Sequence, residues 1–149
     1  MRTPDIFVDE KEVQKRVKDG WIKSWMMIEV LASSEEAAKK SLENHVVKLG
    51  REKNTKIVKQ VFHDVEKKET PNLPVKEAYG NLVELEVLTA SYDVLVFLVM
   101  NYAPSALEIQ EPKELRLKAG EAQSILNSIA DMLHTFAARG LGGVVINRT

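Results

Sequence analysis

The rhythm of hydrophobic and polar positions changes several times along the chain, and each change marks an element. Val13 and Val17 stand four apart behind Asp9 and Glu12, a capping-box spacing, and Gly20 follows; a short amphipathic helix over 9–19 is predicted. From Ile22 to Ala32 the period drops to two, with Met26, Ile28, Val30 and Ala32 alternating against Met27, Glu29 and Leu31. Both sets are largely apolar, so 22–32 reads as a central strand. Ser33 and Glu36 then open a helix with Ala38, Leu42, Val46 and Leu49 on one face, closed at Gly50. Residues 55–68 are ambiguous, because Val58, Val61, Phe62 and Val65 also fit helical spacing. Dense β-branching and the lack of a cap favour one long strand, regular or bulged, and Lys56, Lys59, Lys67 and Lys68 suit a sheet edge. A loop over 71–80 leads onward.

The clearest unit follows. Val83, Leu85 and Val87 alternate with Glu84 and Glu86, which predicts a strand over 81–90 with one buried face. Ser91 caps a helix carrying Leu95, Leu98, Val99 and Tyr102; Pro104 stops it, and Leu107 and Ile109 alternate with Glu108 and Gln110 in a further strand. ELRLKA (114–119) reads as a short extra strand, and 120–139 as the strongest helix of the chain, with Ala122, Ile125, Leu126, Ile129, Met132, Leu133 and Phe136 apolar before Gly140. The segment 141–149 reads as a joint and a short apolar tail. The expected fold class is α+β, one domain over 1–149, with a β-α-β-β-α-β core at about 22–112 between an extra N-terminal helix and a long C-terminal one. Right-handed crossovers place its four strands in the order 4-1-3-2, with 22–32 and 81–90 central.

Composition narrows the chemistry. The charges balance to −1, too little positive surplus for general nucleic-acid binding. There is no cysteine, which removes disulfides, thiolate metal sites and a cysteine nucleophile. No apolar run is long enough for a membrane span, and MRTPDIFVDE lacks a signal-peptide core, so a cytoplasmic location is expected, with no membrane partner. Gly142-Gly143 precedes an apolar run rather than a helix, and no G-x-S-x-G elbow or H-E-x-x-H spacing occurs; no cofactor is expected.

What remains is an acidic sheet face. If Val83, Leu85 and Val87 face the helices, Glu84 and Glu86 face away, and the same alternation sets Glu29 and Glu108 on that face of neighbouring strands. Four carboxylates so placed repel one another unless basic side chains, a partner subunit or a divalent cation compensates. Among the histidines, His45 borders the apolar face of its helix as a packed edge residue. His134 follows Asp131 by one turn, and His63 lies in the ambiguous strand. The candidate ligand or metal residues are therefore Glu29, Glu84, Glu86, Glu108, His63 and His134.

The order of elements over 22–112, above all the strand 81–90 turning into a helix and YAPSALEIQEP returning as a strand, resembles the ferredoxin-like superfold, including ACT-like small-molecule sensor domains. The resemblance implies a module that assembles with itself and takes a small ligand. In place of the glycine that marks many ACT ligand sites at the first strand-to-helix turn, this chain has Ala32-Ser33-Ser34. Trp21, Trp25, Met27, Leu31, Leu82 and Leu88 are left over once one core face is filled, which favours a homo-oligomer. The expected function is a self-associating module with a small-ligand site at a subunit interface. The alternative is a small-molecule enzyme, metal-assisted or not, that uses the carboxylates with His63 or His134.

Overall fold

A computed structural model describes residues 3–69 and 77–140, which fall into two compact units, 1–114 and 115–149. The first is an α+β unit built on an antiparallel sheet. Helix α1 (Glu10–Lys18) starts as its capping residues dictate: the Asp9 carboxylate accepts the Glu12 N–H at 2.8 Å. Helix α2 (Glu35–Gly50) is capped by Ser34 rather than Ser33, since it is the Ser34 hydroxyl that accepts the Ala37 N–H, at 3.1 Å. Its four predicted face residues, Ala38, Leu42, Val46 and Leu49, are all buried. In α3 (Tyr92–Tyr102) Ser91 holds the cap position, but its hydroxyl donates to the Asp93 carboxylate and caps no backbone group. Leu95, Leu98 and Tyr102 are buried there, whereas Val99 is exposed.

The strands are β1 (Asp5–Ile6), β2 (Ile22–Ala32), β3 (Thr55–Phe62), β4 (Glu66–Glu69), β5 (Glu77–Thr89) and β6 (Ala106–Glu111). They lie in the order β1-β3-β5-β2-β6, with β4 also paired to β5. β5 is the spine: it pairs with all eleven residues of β2 on one side and with β3 and β4 on the other. It begins at Glu77, so the predicted loop over 71–80 gives way to strand earlier than expected. The long strand expected over 55–68 is two strands, with a register shift between Ile57 and Lys59 and a break at 63–65. The break is pinned to the spine. The His63 N–H donates to the Leu82 carbonyl at 2.8 Å, and the Asn81 side-chain amide donates to the His63 carbonyl at 2.8 Å. Nor is β3 a bare edge, because the unpredicted β1 pairs Asp5 with Gln60 and Ile6 with Lys59. Residues 114–118 form no strand. Positions 70–76 and 141–149, including the expected C-terminal joint, lie outside the described residues.

The two sheet faces differ. On one, Met26, Ile28, Val83, Leu85 and Val87 meet Leu42, Val46 and Leu49 of α2 and Leu95, Leu98 and Tyr102 of α3 in a continuous core. Burying a side chain of this size contributes about 1.5–3 kcal/mol, so this layer holds the unit together. On the other, among the described residues, α1 covers one end: Val13 packs with Val58 and Leu88, and with Val8, Val17 and Trp21 at the margin. Trp21 and Leu88, left over in the sequence pattern, thus have intramolecular partners. The rest of that face carries Trp25, Met27, Leu82, Glu84 and Glu86, half-buried, and the exposed Glu29.

The second unit is described by helix α4 (Ala119–Ala138), followed by Gly140 in the left-handed region at φ 68°. No helix among the described residues is long and apolar enough to cross a membrane.

Candidate functional site

Cross-strand register assembles the open face. Trp25 of β2 stands opposite Glu86 of β5 on one side and Glu108 of β6 on the other; Met27 stands opposite Glu84. Across β5, Lys59 and Val61 of β3 stand opposite Glu86 and Glu84. Partners in an antiparallel ladder point to the same face, so the four glutamates do share one, as alternation requires.

Three of the four carboxylates have partners within the chain. Glu84 is held at both oxygens: Oε2 lies 2.7 Å from His63 Nε2, and Oε1 accepts the Trp25 indole N–H at 3.2 Å. Glu86 lies between Lys23 at 3.4 Å and Lys59 at 3.9 Å. Glu29 accepts a hydrogen bond from Lys68, and that bond, with the carboxylate charge behind it, raises the pKa of the Lys68 ammonium above its ordinary value. Of the compensating groups anticipated, lysines of the same chain pair with Glu29 and Glu86, and His63 and Trp25 hydrogen-bond Glu84. Among the described residues no group of three or more His, Asp or Glu is arranged to hold a metal ion.

Two cavities meet at Glu84. One, of about 350 Å³, is lined by Glu29, His63, Asp64, Glu66, Lys68 and Glu84, with Met27, Leu82 and Gly80 as its less polar wall. The other, of about 310 Å³, is bounded by Trp25, Lys59, Val61, Glu84 and Glu86, with Pro4 and Leu85. Gly80 is a close-approach position: a Cβ there would lie 2.9 Å from Lys68 Cε and 3.3 Å from Glu29 Oε1. Its missing side chain lets the Lys68–Glu29 pair lie across β5.

Of the candidates named from sequence, Glu29, His63 and Glu84 come together around the first cavity, and Glu86 lines the second. Glu108 shares the face but lines neither, because Trp25 stands between it and Glu86 in the register. His134 belongs to α4, in the other unit. His45 is the packed edge residue its position suggested: its ring meets Tyr102 at 4.9 Å, and Nε2 is 3.1 Å from the Tyr102 carbonyl. The Tyr102 hydroxyl donates to Glu52 at 2.6 Å. Burial, and then that hydrogen bond, push its pKa up to about 12. Sequence reasoning missed Trp25 as a donor to Glu84, although alternation along β2 sets it on the acidic face. It also missed Lys68 and Gly80, which depend on how β4 registers against β5.

Fold and site define an α+β protein with one helix-covered sheet face and one open face of paired charges around a shared glutamate. The chain belongs to the MJ0538 family, whose model matches residues 23–148. The matched span takes in every lining residue of the His63–Glu84 cavity and leaves out α1. No curated protein matches the chain. The family name states no activity, so a functional reading rests on the site itself.

Proposed function

We propose that this protein is a self-associating module that binds a small ligand in the His63–Glu84 cavity, where a second subunit completes the open sheet face. One observation carries the reading: half-buried Trp25, Met27 and Leu82 lie among carboxylates already partnered within the chain. Such a face presents apolar area with a few fixed polar handles, as small-molecule sites do. The path β6-β2-β5-β3 within the sheet supports a ferredoxin-like, ACT-like reading of the four core strands, in the expected order 4-1-3-2.

The test is a thermal-shift screen of amino acids, small amines and nucleotides on the whole chain, with light scattering alongside. A binder should raise the melting temperature by its selective affinity for the folded state, and Glu84→Gln should remove that gain. Mg²⁺, Mn²⁺, Ca²⁺ and chelators should leave the melt unchanged, and Glu86→Gln should leave the mass unchanged, since Lys23 and Lys59 of the same chain hold that carboxylate. A panel without a single binder and a monomeric mass would together overturn the reading.

The 2.7 Å contact between Glu84 and His63 favours the second reading, an enzyme. A carboxylate that fixes one imidazole nitrogen orients the ring and leaves proton transfer to Nδ1, the arrangement of a general base. On that reading His63→Ala abolishes turnover of a bound molecule without abolishing its binding.

A further inference from the structure

We infer that α4 is the seam of a two-fold homodimer, in which two copies of this helix pack antiparallel about Ile129. The inference rests on the self-association proposed above and adds a second contact, outside the open sheet face. Leu126 is 66% exposed, Leu133 40%, Phe136 38% and Ile129 36%, all within eleven residues of one helix. Apolar residues recurring at offsets of three and four make a continuous stripe, and a second helix is the partner such a stripe fits.

The pattern identifies which helix. Ala122, Ile125, Leu126, Ile129, Met132, Leu133 and Phe136 are placed symmetrically about Ile129, at three, four and seven residues on either side. A reversed copy therefore sets Ala122 opposite Phe136, Ile125 opposite Leu133, Leu126 opposite Met132, and Ile129 opposite itself. Small meets large at each end, and the exposed Leu126, Ile129, Leu133 and Phe136 each gain an apolar neighbour, while Ile125 is already buried within its own chain and backs the stripe. That is the self-complementarity a two-fold interface requires. A parallel copy in register would stack Phe136 on Phe136 and leave Ala122 facing Ala122, crowded at one end and hollow at the other. Charge points the same way. Glu121 lies in the first turn and Arg139 just past the last, so reversal brings each glutamate within a side chain's reach of the other copy's arginine. It also sets the helix dipoles head to tail.

The test uses the full chain at micromolar concentration. Light scattering should give twice the chain mass, and Leu126→Glu with Leu133→Glu should halve it. In a separate variant, Glu121→Arg should raise the dimer dissociation constant about five-fold, with Arg139→Glu in the same chain restoring it. Since the chain has no cysteine, single spin-labelled cysteines report the geometry cleanly. At about 1.5 Å per residue, labels at Ala130 should lie about 10 Å apart and labels at Gln123 about 20 Å or more. Equal separations at the two positions would overturn the antiparallel arrangement. A dimer that survives both glutamates would overturn the seam and leave self-association standing. A monomeric wild type, with α4 docked on its own chain, would overturn both.

Discussion

The two faces of the sheet are made from the same strands, residue by residue in alternation, yet they are held by different physics. Along β5, Val83, Leu85 and Val87 are fully buried; the intervening Glu84 and Glu86 are half-exposed, Glu84 hydrogen-bonded to His63 and Trp25 and Glu86 ion-paired with lysines. On the covered face the contributions scale with area removed from water. On the open face each pair offsets a desolvation cost and contributes little net stability. The apolar core and the polar groups of the cavity are thus separated by a single step along the chain, and a substitution should declare its face by the size of its effect.

The largest contrast is expected between Leu85 and Met27. Leu85→Ala should cost about 2–5 kcal/mol in urea unfolding, since it empties a fully buried site, and Met27→Ala on the half-buried side should cost below about 1 kcal/mol. Equal costs would mean that the open face is packed as tightly as the covered one. Next comes Glu84→Ala, which strips both His63 and Trp25 of their acceptor. About 1 kcal/mol is expected, discounted for partial exposure, together with a change in tryptophan emission. Unchanged emission would place the Trp25 indole off the carboxylate.

Tyr102, on the covered side, gives the third test. Its folded pKa of about 12 lies above the ordinary value near 10, so between these the folded state holds more protons than the unfolded one. Its contribution is complete below pH 10 and falls as pH rises through that window. Tyr102→Phe should flatten the alkaline loss, and an identical slope in both proteins would remove Tyr102 as its source. The smallest effect should come from Glu77→Gln, which breaks the exposed Lys67–Glu77 pair; its melting curve should overlie the wild type.

Much of this was legible in the residues. Periodicity located β2, the three helices of the sheet unit and the faces of Glu29, Glu84, Glu86 and Glu108, because each rests on neighbours within a few positions. The features that escaped depend on distant ones. The break at His63 is held by Asn81, eighteen residues on, and nothing local to 55–68 announces it. β1 is two residues long, too short for any period to show. Ser33 and Ser34 are equally good caps by type, and only the exit of β2 decides between them. The partners of the glutamates needed the register of four strands, which alternation alone leaves open by a shift of two.

Gly80 has a consequence for how this cavity is able to diversify. It pairs with Leu31 on one side and Glu66 on the other, so its peptide groups belong to the ladders and the cavity floor has little hydrogen bonding to offer a newcomer. On the ligand-binding reading proposed above, discrimination among incoming molecules falls to Glu29, His63, Lys68 and Glu84. The floor instead sets depth. One methyl group there would push the Lys68 stem and the Glu29 oxygen outward and make the cavity shallower without changing its charge. On that reading, size and charge selectivity are encoded at separate positions, and each is free to drift without the other.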